Sequence, residues 1–166
     1  MNKNVLKSDG TVNEGTFKEW TPIGIYFYKS YGGIFDGQNH TISGLYFSQG
    51  DKMYLGLFGI NAGKISNVGI LDSYFCGKVS VGGVCGYNFE GTITNCYYDS
   101  TVYTGAAIGT NSGTTTKIEG KTTEQYKTGE VAYLLQLDQS DEVWGQTIGT
   151  DTYPTLGGAK VYKTAT

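Results

Sequence analysis

The sequence predicts an all-β fold, a parallel β-solenoid closed by a short helical cap, and three observations carry that expectation. Two short motifs recur together four times, at spacings of 22 to 28 residues. Gly and Tyr are heavily used, 26 and 14 of the 166 residues, which suits many short strands joined by tight turns. After Lys121 the apolar period changes to that of a helix.

The first motif is Gly-x-Asn, at Gly37-Gln38-Asn39, Gly59-Ile60-Asn61, Gly86-Tyr87-Asn88 and Gly109-Thr110-Asn111. The second is Ile, any residue, Gly or Asn, then a fourth position. It occurs as Ile42-Ser43-Gly44-Leu45, Ile65-Ser66-Asn67-Val68, Ile93-Thr94-Asn95-Cys96 and Ile118-Glu119-Gly120-Lys121. Polar neighbours bracket every Ile, which is strand alternation with Ile inward. The next inward position comes three residues on, and the extra residue is a type that tolerates a left-handed backbone, as a bend requires. Repeats of this length cannot bury an inner face alone, but stacking buries it. The four Gly-x-Asn triplets are therefore expected at equivalent corners. Ile42, Ile65, Ile93 and Ile118 are expected in one inward column, with Leu45, Val68 and Cys96 in a second that Lys121 ends. An antiparallel sandwich is the main alternative, but it does not demand equivalent corners at this spacing.

Taken in order, residues 1–14 read as a frayed or truncated segment, and 15–121 as the repeat domain. Within it, Gly15 to Tyr28 reads as one or two strands of an incomplete first coil, with Pro22 at an edge or a strand start. Residues 122–166 read as a helical cap with terminal strands packed on the solenoid end. Thr122 and Gln125 offer a capping box, with Thr123 a second N-cap candidate. Glu130 to Leu137 places Val131, Leu134, Leu135 and Leu137 on one apolar side, and Gly129 separates two helical turns. Val143 to Ile148 and Lys160 to Lys163 read as closing strands, with Pro154 and Gly157-Gly158 in the loop between.

Phe35-Asp36-Gly37-Gln38-Asn39-His40-Thr41-Ile42-Ser43-Gly44-Leu45, followed by Gly56-Leu57-Phe58-Gly59, resembles the GLUG-motif repeat. Gly82-Gly83-Val84-Cys85-Gly86-Tyr87-Asn88 and Gly91-Thr92-Ile93-Thr94-Asn95-Cys96-Tyr97 look like further copies, so the resemblance covers roughly residues 20–120. The tail, from Gly129 through Trp144 to Gly158, is similar to segments that follow such repeats in gut bacteria. The resemblance implies a right-handed parallel β-helix and a place in a larger secreted or cell-surface bacterial protein. Such repeats occur in adhesin-like proteins and in non-catalytic regions of immunoglobulin A1-cleaving metallopeptidases. The His-Glu-x-x-His signature of those peptidases is absent, so no protease activity carries over.

Composition narrows the function classes. Only 16% of residues are charged, the net charge is -3 and there is no Arg, so the usual bidentate reader of phosphate and guanine is missing and nucleic acid is not an expected partner. No window holds the apolar run a membrane helix needs, so no membrane insertion of this fragment is expected. Met1 to Ser8 has no apolar signal core, and any export signal is expected to have been removed. Cys76, Cys85 and Cys96 cannot all pair, and no CxxC accompanies the single His40, so buried free thiols are expected and no metal site.

A polysaccharide-cleaving β-helix would need converging acids, with Asp36, Asp72 and Asp99 as candidates and Lys64 or Lys78 as a basic partner. All three Asp sit in turn or corner contexts, where Asp usually bonds its own backbone. His40 lies inside a corner motif, and no Gly-x-Ser-x-Gly elbow exists for a triad. Gly105 to Gly113 is no phosphate loop and Gly82-Gly83 no dinucleotide site. The outward positions Thr41, Lys64, Thr92 and Lys117 would interrupt an ice-type Thr ladder with charge. Tyr97, Tyr98, Tyr103, Tyr26, Tyr28, Trp20 and Trp144 could stack on sugars or enter a partner's pocket, but half-buried places at coil corners and under the cap account for most such rings better. The expectation is a non-catalytic spacing or adhesive module, extracellular or cell-surface, that meets glycans or surface proteins weakly and multivalently. It has adjacent domains in a parent protein, no catalytic residue, no cofactor and no assigned ligand-binding residue. A carbohydrate-active β-helix enzyme is the alternative.

Overall fold

The computed structural model describes residues 1–7, 9–48, 50–100, 106–136, 141 and 144–161. The chain divides into two compact units, Met1–Gly120 and Lys121–Thr166. The first is mostly β, and its pairings are parallel wherever long strands meet.

In chain order the first unit holds β1 (Ile34–Ser43), β2 (Tyr46–Phe47), β3 (Met53–Leu55), β4 (Phe58–Asn61), β5 (Lys64–Leu71), β6 (Tyr74–Phe75), β7 (Val79–Val81), β8 (Cys85–Asn88), β9 (Thr92–Asp99), β10 (Ile108–Asn111) and β11 (Thr114–Lys121). No strand pairs with its neighbour in sequence. The long strands form a sheet in the order β1-β5-β9-β11, and β4, β8 and β10 form another. β2 pairs β6, and β3 pairs β7, both parallel. Each strand thus meets its counterpart one repeat away. Lys64 lies opposite Thr92, Phe58 opposite Cys85, and Cys85 opposite Ile108.

The register sorts side chains into columns. Phe35, Ile65 and Ile93 form one, and His40, Val68 and Cys96 a second. Ile65, Val68, Ile93 and Cys96 are buried in one core with Leu45, Phe58 and Phe75. Burying each such Ile contributes roughly 1.5–3 kcal/mol. The middle two copies of the Ile motif therefore stack as expected. The outer two are out of phase. Ile42 lies opposite Ile70, not Ile65. Ile118 follows Lys117, which has φ +52 and is the fourth residue of β11, as left-handed Asn67 and Asn95 are the fourth residues of β5 and β9. That places Ile118 in the column of Cys96.

The first Gly-x-Asn triplet is likewise displaced. Asp36 lies opposite Ser66 but His40 opposite Val68, so β1 carries two extra residues there, and Gly37-Gln38 is that bulge. Asn39, at φ +59, then takes the left-handed place of Asn67 and Asn95. The amides run together: Asn95 Nδ2 donates to Asn67 Oδ1 at 2.8 Å and to Asn39 Oδ1 at 3.3 Å. The other three triplets do share one register, Asn61 and Asn111 both opposite Asn88. Asn61 Nδ2 donates to Asn88 Oδ1 at 2.8 Å, and Asn88 Nδ2 to Asn111 Oδ1 at 2.9 Å. Asn61 and Asn88 are fully buried, where an unpaired amide would cost about 1–3 kcal/mol.

Gly in the triplet has a different reason. A Cβ on Gly86 would lie 2.5 Å from the Tyr54 carbonyl carbon, and one on Gly109 2.4 Å from that of Ser80. Tyr54 and Ser80 occupy the same place in β3 and β7, and both are left-handed, at φ +60 and +55.

The segment before β1 forms no strand, contrary to expectation, yet it follows the same path. Trp20 N donates to Tyr46 O at 2.7 Å, Ile23 N to Leu57 O at 3.1 Å and Tyr31 N to Ile60 O at 2.9 Å, and Phe27–Lys29 makes one 3-10 turn. Pro22 needs no donor there. In the described part of residues 1–14, Leu6 bridges Val12 antiparallel and Val5 is fully buried. Asp72 accepts from Leu6 N at 2.9 Å and Val5 N at 3.2 Å.

The second unit opens on the expected capping box. Thr122 Oγ1 accepts from Gln125 N at 3.2 Å and Gln125 Oε1 accepts from Thr122 N at 3.0 Å, starting α1 (Thr123–Lys127). Gly129, at φ +82, separates it from α2 (Glu130–Gln136). Val131, Ala132 and Leu135 are buried, whereas Leu134 is only half-buried. Lys121 pairs with Glu130 at 2.8 Å. β12 (Trp144–Gly145) pairs antiparallel with β13 (Thr155–Leu156). The second closing strand thus falls just after Pro154, in the stretch read as loop. Residues 160–161 take no strand, and Leu137, Val143 and 162–163 lie outside the described residues.

Candidate binding surface

The three acids weighed for catalysis do not all converge on one site. Asp36, in β1, accepts from Asn67 Nδ2 and from Gln38 N, each at 2.9 Å. The Asn67 amide, then the Gln38 N–H, hold its carboxyl below the ordinary range. Asp72, left-handed at φ +40, directly follows β5. Burial raises its pKa, against the lowering from the Leu6 and Val5 N–H groups. Asp99 is buried at the end of β9. Asp72 and Asp99 line one small cavity of about 10 Å³, with Ser73, Phe75 and Tyr98, room for a single water at most. Asp36 is not among its lining residues, and neither Lys64 nor Lys78 is. His40 is exposed, with Nδ1 2.9 Å from the Gln38 carbonyl oxygen. Among the described residues no three His, Cys, Asp or Glu side chains could hold a metal together. Thr41 lies opposite Gly69 rather than Lys64, so the outward Thr column does not exist either.

The cysteines are free. Cys85 and Cys96 are fully buried, and desolvation pushes both thiols up to about 12. Cys76 is half-buried.

Most rings weighed for binding are committed to packing. Tyr97 and Trp144 are buried. Trp20 and Tyr98 pack on the core, and Trp20 Nε1 donates to Gly56 O at 3.2 Å. Tyr103 lies outside the described residues. Tyr26 and Tyr28 differ. They are 51% and 78% exposed, with near-parallel rings 5.4 Å apart.

Between them in sequence, Phe27 joins a cluster that the sequence reading missed. Its ring is 51% exposed and stands edge-on to Tyr54, Tyr87 and Phe89 at 5.7, 5.8 and 5.7 Å. Tyr54 and Tyr87 stack at 6.1 Å, and Tyr87 meets Phe89 at 5.7 Å. The parallel register assembles this cluster: the 3-10 turn supplies Phe27, β3 supplies Tyr54, β8 supplies Tyr87, and Phe89 follows Asn88. Hydroxyls adjoin it. Tyr87 Oη bonds Ser112 Oγ at 3.0 Å, and Ser80 Oγ bonds Thr110 Oγ1 at 2.7 Å, Thr110 being the register partner of Tyr87. The only sequence signals were the aromatic run Tyr26-Phe27-Tyr28 and a Tyr at the variable place of Gly86-Tyr87-Asn88.

Comparison with family models, curated proteins and solved structures returns no match. Among the described residues no helix is long and apolar enough to cross a membrane.

Proposed function

We propose that this chain is a non-catalytic binding module of a larger secreted or cell-surface bacterial protein, built as a right-handed β-solenoid of GLUG-type repeats. The observation that carries the reading is the cluster around Phe27, whose exposed ring stands on the half-buried rings of Tyr54, Tyr87 and Phe89 from successive repeats. An exposed aromatic ring backed by partly exposed ones is the kind of surface that interaction sites use. The architecture is supported by the parallel pairing of successive repeats, broken in register at the β1 bulge, the arrangement that stacking coils require. Partners are glycans or surface proteins, each contact weak and strengthened by repetition along a parent chain.

The non-catalytic part of the reading is supported by where the acids are used. Asp36 holds Asn67 and a backbone N–H, and Asp72 holds two backbone N–H groups. A glycoside-cleaving pair needs two carboxyls facing a substrate across an open cleft. One experiment tests both halves: the purified chain is incubated with plant and mucin polysaccharides and peptides, and retention and products are measured in the same samples. Retention of at least one polymer without new reducing ends or peptide fragments is expected. Turnover lost in Asp72→Asn or Asp99→Asn with unchanged circular dichroism would instead make the chain a carbohydrate-active enzyme.

A further inference from the structure

We infer that the ring cluster of Phe27, Tyr54, Tyr87 and Phe89, together with the exposed Tyr26–Tyr28 ring pair that flanks Phe27 in the chain, is a binding site for a neutral polysaccharide chain, an inference that rests on the binding function proposed above.

Backbone geometry gives the first argument. Tyr54 sits at φ +60, in the region that a bulky side chain enters only at a cost and that Gly or Asn enters readily. Its counterpart one repeat on is Ser80, so the site does not demand an aromatic residue for packing. The chain nonetheless keeps a strained Tyr where its ring stacks on Tyr87. Strain held by the surrounding structure beneath the exposed Phe27 ring points to use.

Ligand chemistry follows from what adjoins the rings. A pyranose has an apolar C–H face and a rim of hydroxyls, matching a surface of ring faces edged by hydroxyl groups. Three phenol hydroxyls and the Ser80–Thr110 and Tyr87–Ser112 pairs supply that edge. Charge complementarity selects the neutral class. Lys29, 5.8 Å from the Tyr28 ring centroid, and Glu90, next to Phe89 in the chain, carry opposite charges that balance. A uronate chain or a strongly charged peptide finds no net opposing field there.

The test is a titration of the isotope-labelled chain with cellohexaose, xylohexaose, mannohexaose and hexagalacturonate, followed by amide and aromatic NMR shifts. Saturable shifts centred on residues 26–28, 54 and 87–89 are expected with a neutral hexasaccharide, and at least tenfold weaker binding of hexagalacturonate. Phe27→Ala and Tyr28→Ala should each weaken binding about tenfold or more, and Tyr74→Ala should not. Tyr54→Asn separates function from packing: it should abolish binding while the unfolding midpoint stays or rises. Neutral binding that survives all three cluster substitutions places the site elsewhere and overturns this inference, leaving the binding function intact. Tighter binding of hexagalacturonate, or saturable binding of a protein with no response to any hexasaccharide, overturns the ligand class alone. Failure of every glycan and protein probe overturns the inference and the proposed function together.

Discussion

At the scale of single residues, the two Ile motifs that stack and the two that do not make different demands. Ile93 is fully buried between repeats, so Ile93→Ala should cost about 2–5 kcal/mol in a denaturant melt. Ile42 is only half-buried, and Ile42→Ala should cost clearly less; equal losses would mean the register is wrong. Gly86→Ala forces a Cβ against the backbone of Tyr54, and about 1–3 kcal/mol of destabilisation is expected. Asn88→Ala leaves the buried Asn61 amide without its acceptor, at a similar cost of roughly 1–3 kcal/mol. The thiols give a pH test. Cys85 and Cys96 stay protonated in the folded chain until pH approaches about 12, whereas unfolded Cys titrates near ~8.5. Between those values ionisation favours the unfolded chain, so stability should fall as pH rises past the unfolded value. At pH 8 an aromatic disulfide reagent should label Cys85 and Cys96 only after denaturation. Rapid labelling of either in the native protein would contradict their burial.

At the scale of elements, the capping box at Thr122 is the most local claim. Thr122→Ala should cost about 0.5–2 kcal/mol of the second unit's stability, read from the helical signal on heating. This box was legible because all its parts lie within four residues. So were β5, β9 and the corners at Asn67 and Asn95, where strand, bend and inward apolar residue follow one another directly. The phase of β1 was not. Its two extra residues, Gly37-Gln38, happen to complete a Gly-x-Asn triplet with Asn39, and Ile42 lies close enough to imitate the motif, so local pattern and true register part company. β13 was hidden for a similar reason: Thr155-Leu156 is a two-residue strand after Pro154, too short for any alternation to show. The ring cluster was least legible. Tyr54 and Tyr87 become neighbours only once β3, β4 and β8 are placed in register, information that no window of the sequence contains. By contrast, Trp20 and Tyr97, which look equally available in sequence, are taken up by the core.

At the scale of the whole first unit, the fold and the proposed function share one cause. Stacking in parallel turns residues 27 or so apart into neighbours, which builds the buried Asn rows inside and gathers the rings outside. An antiparallel arrangement of the same strands would scatter both. Methyl and aromatic NOE spectroscopy of the intact chain tests this most directly. Cross-peaks between Ile65 and Ile93, between Val68 and Cys96, and between Phe27 and Tyr87 are expected, with none between Ile42 and Ile65. Finding Ile42 against Ile65, or antiparallel Hα–Hα contacts between β5 and β9, would contradict the stacking on which both the proposed solenoid and the proposed binding surface depend.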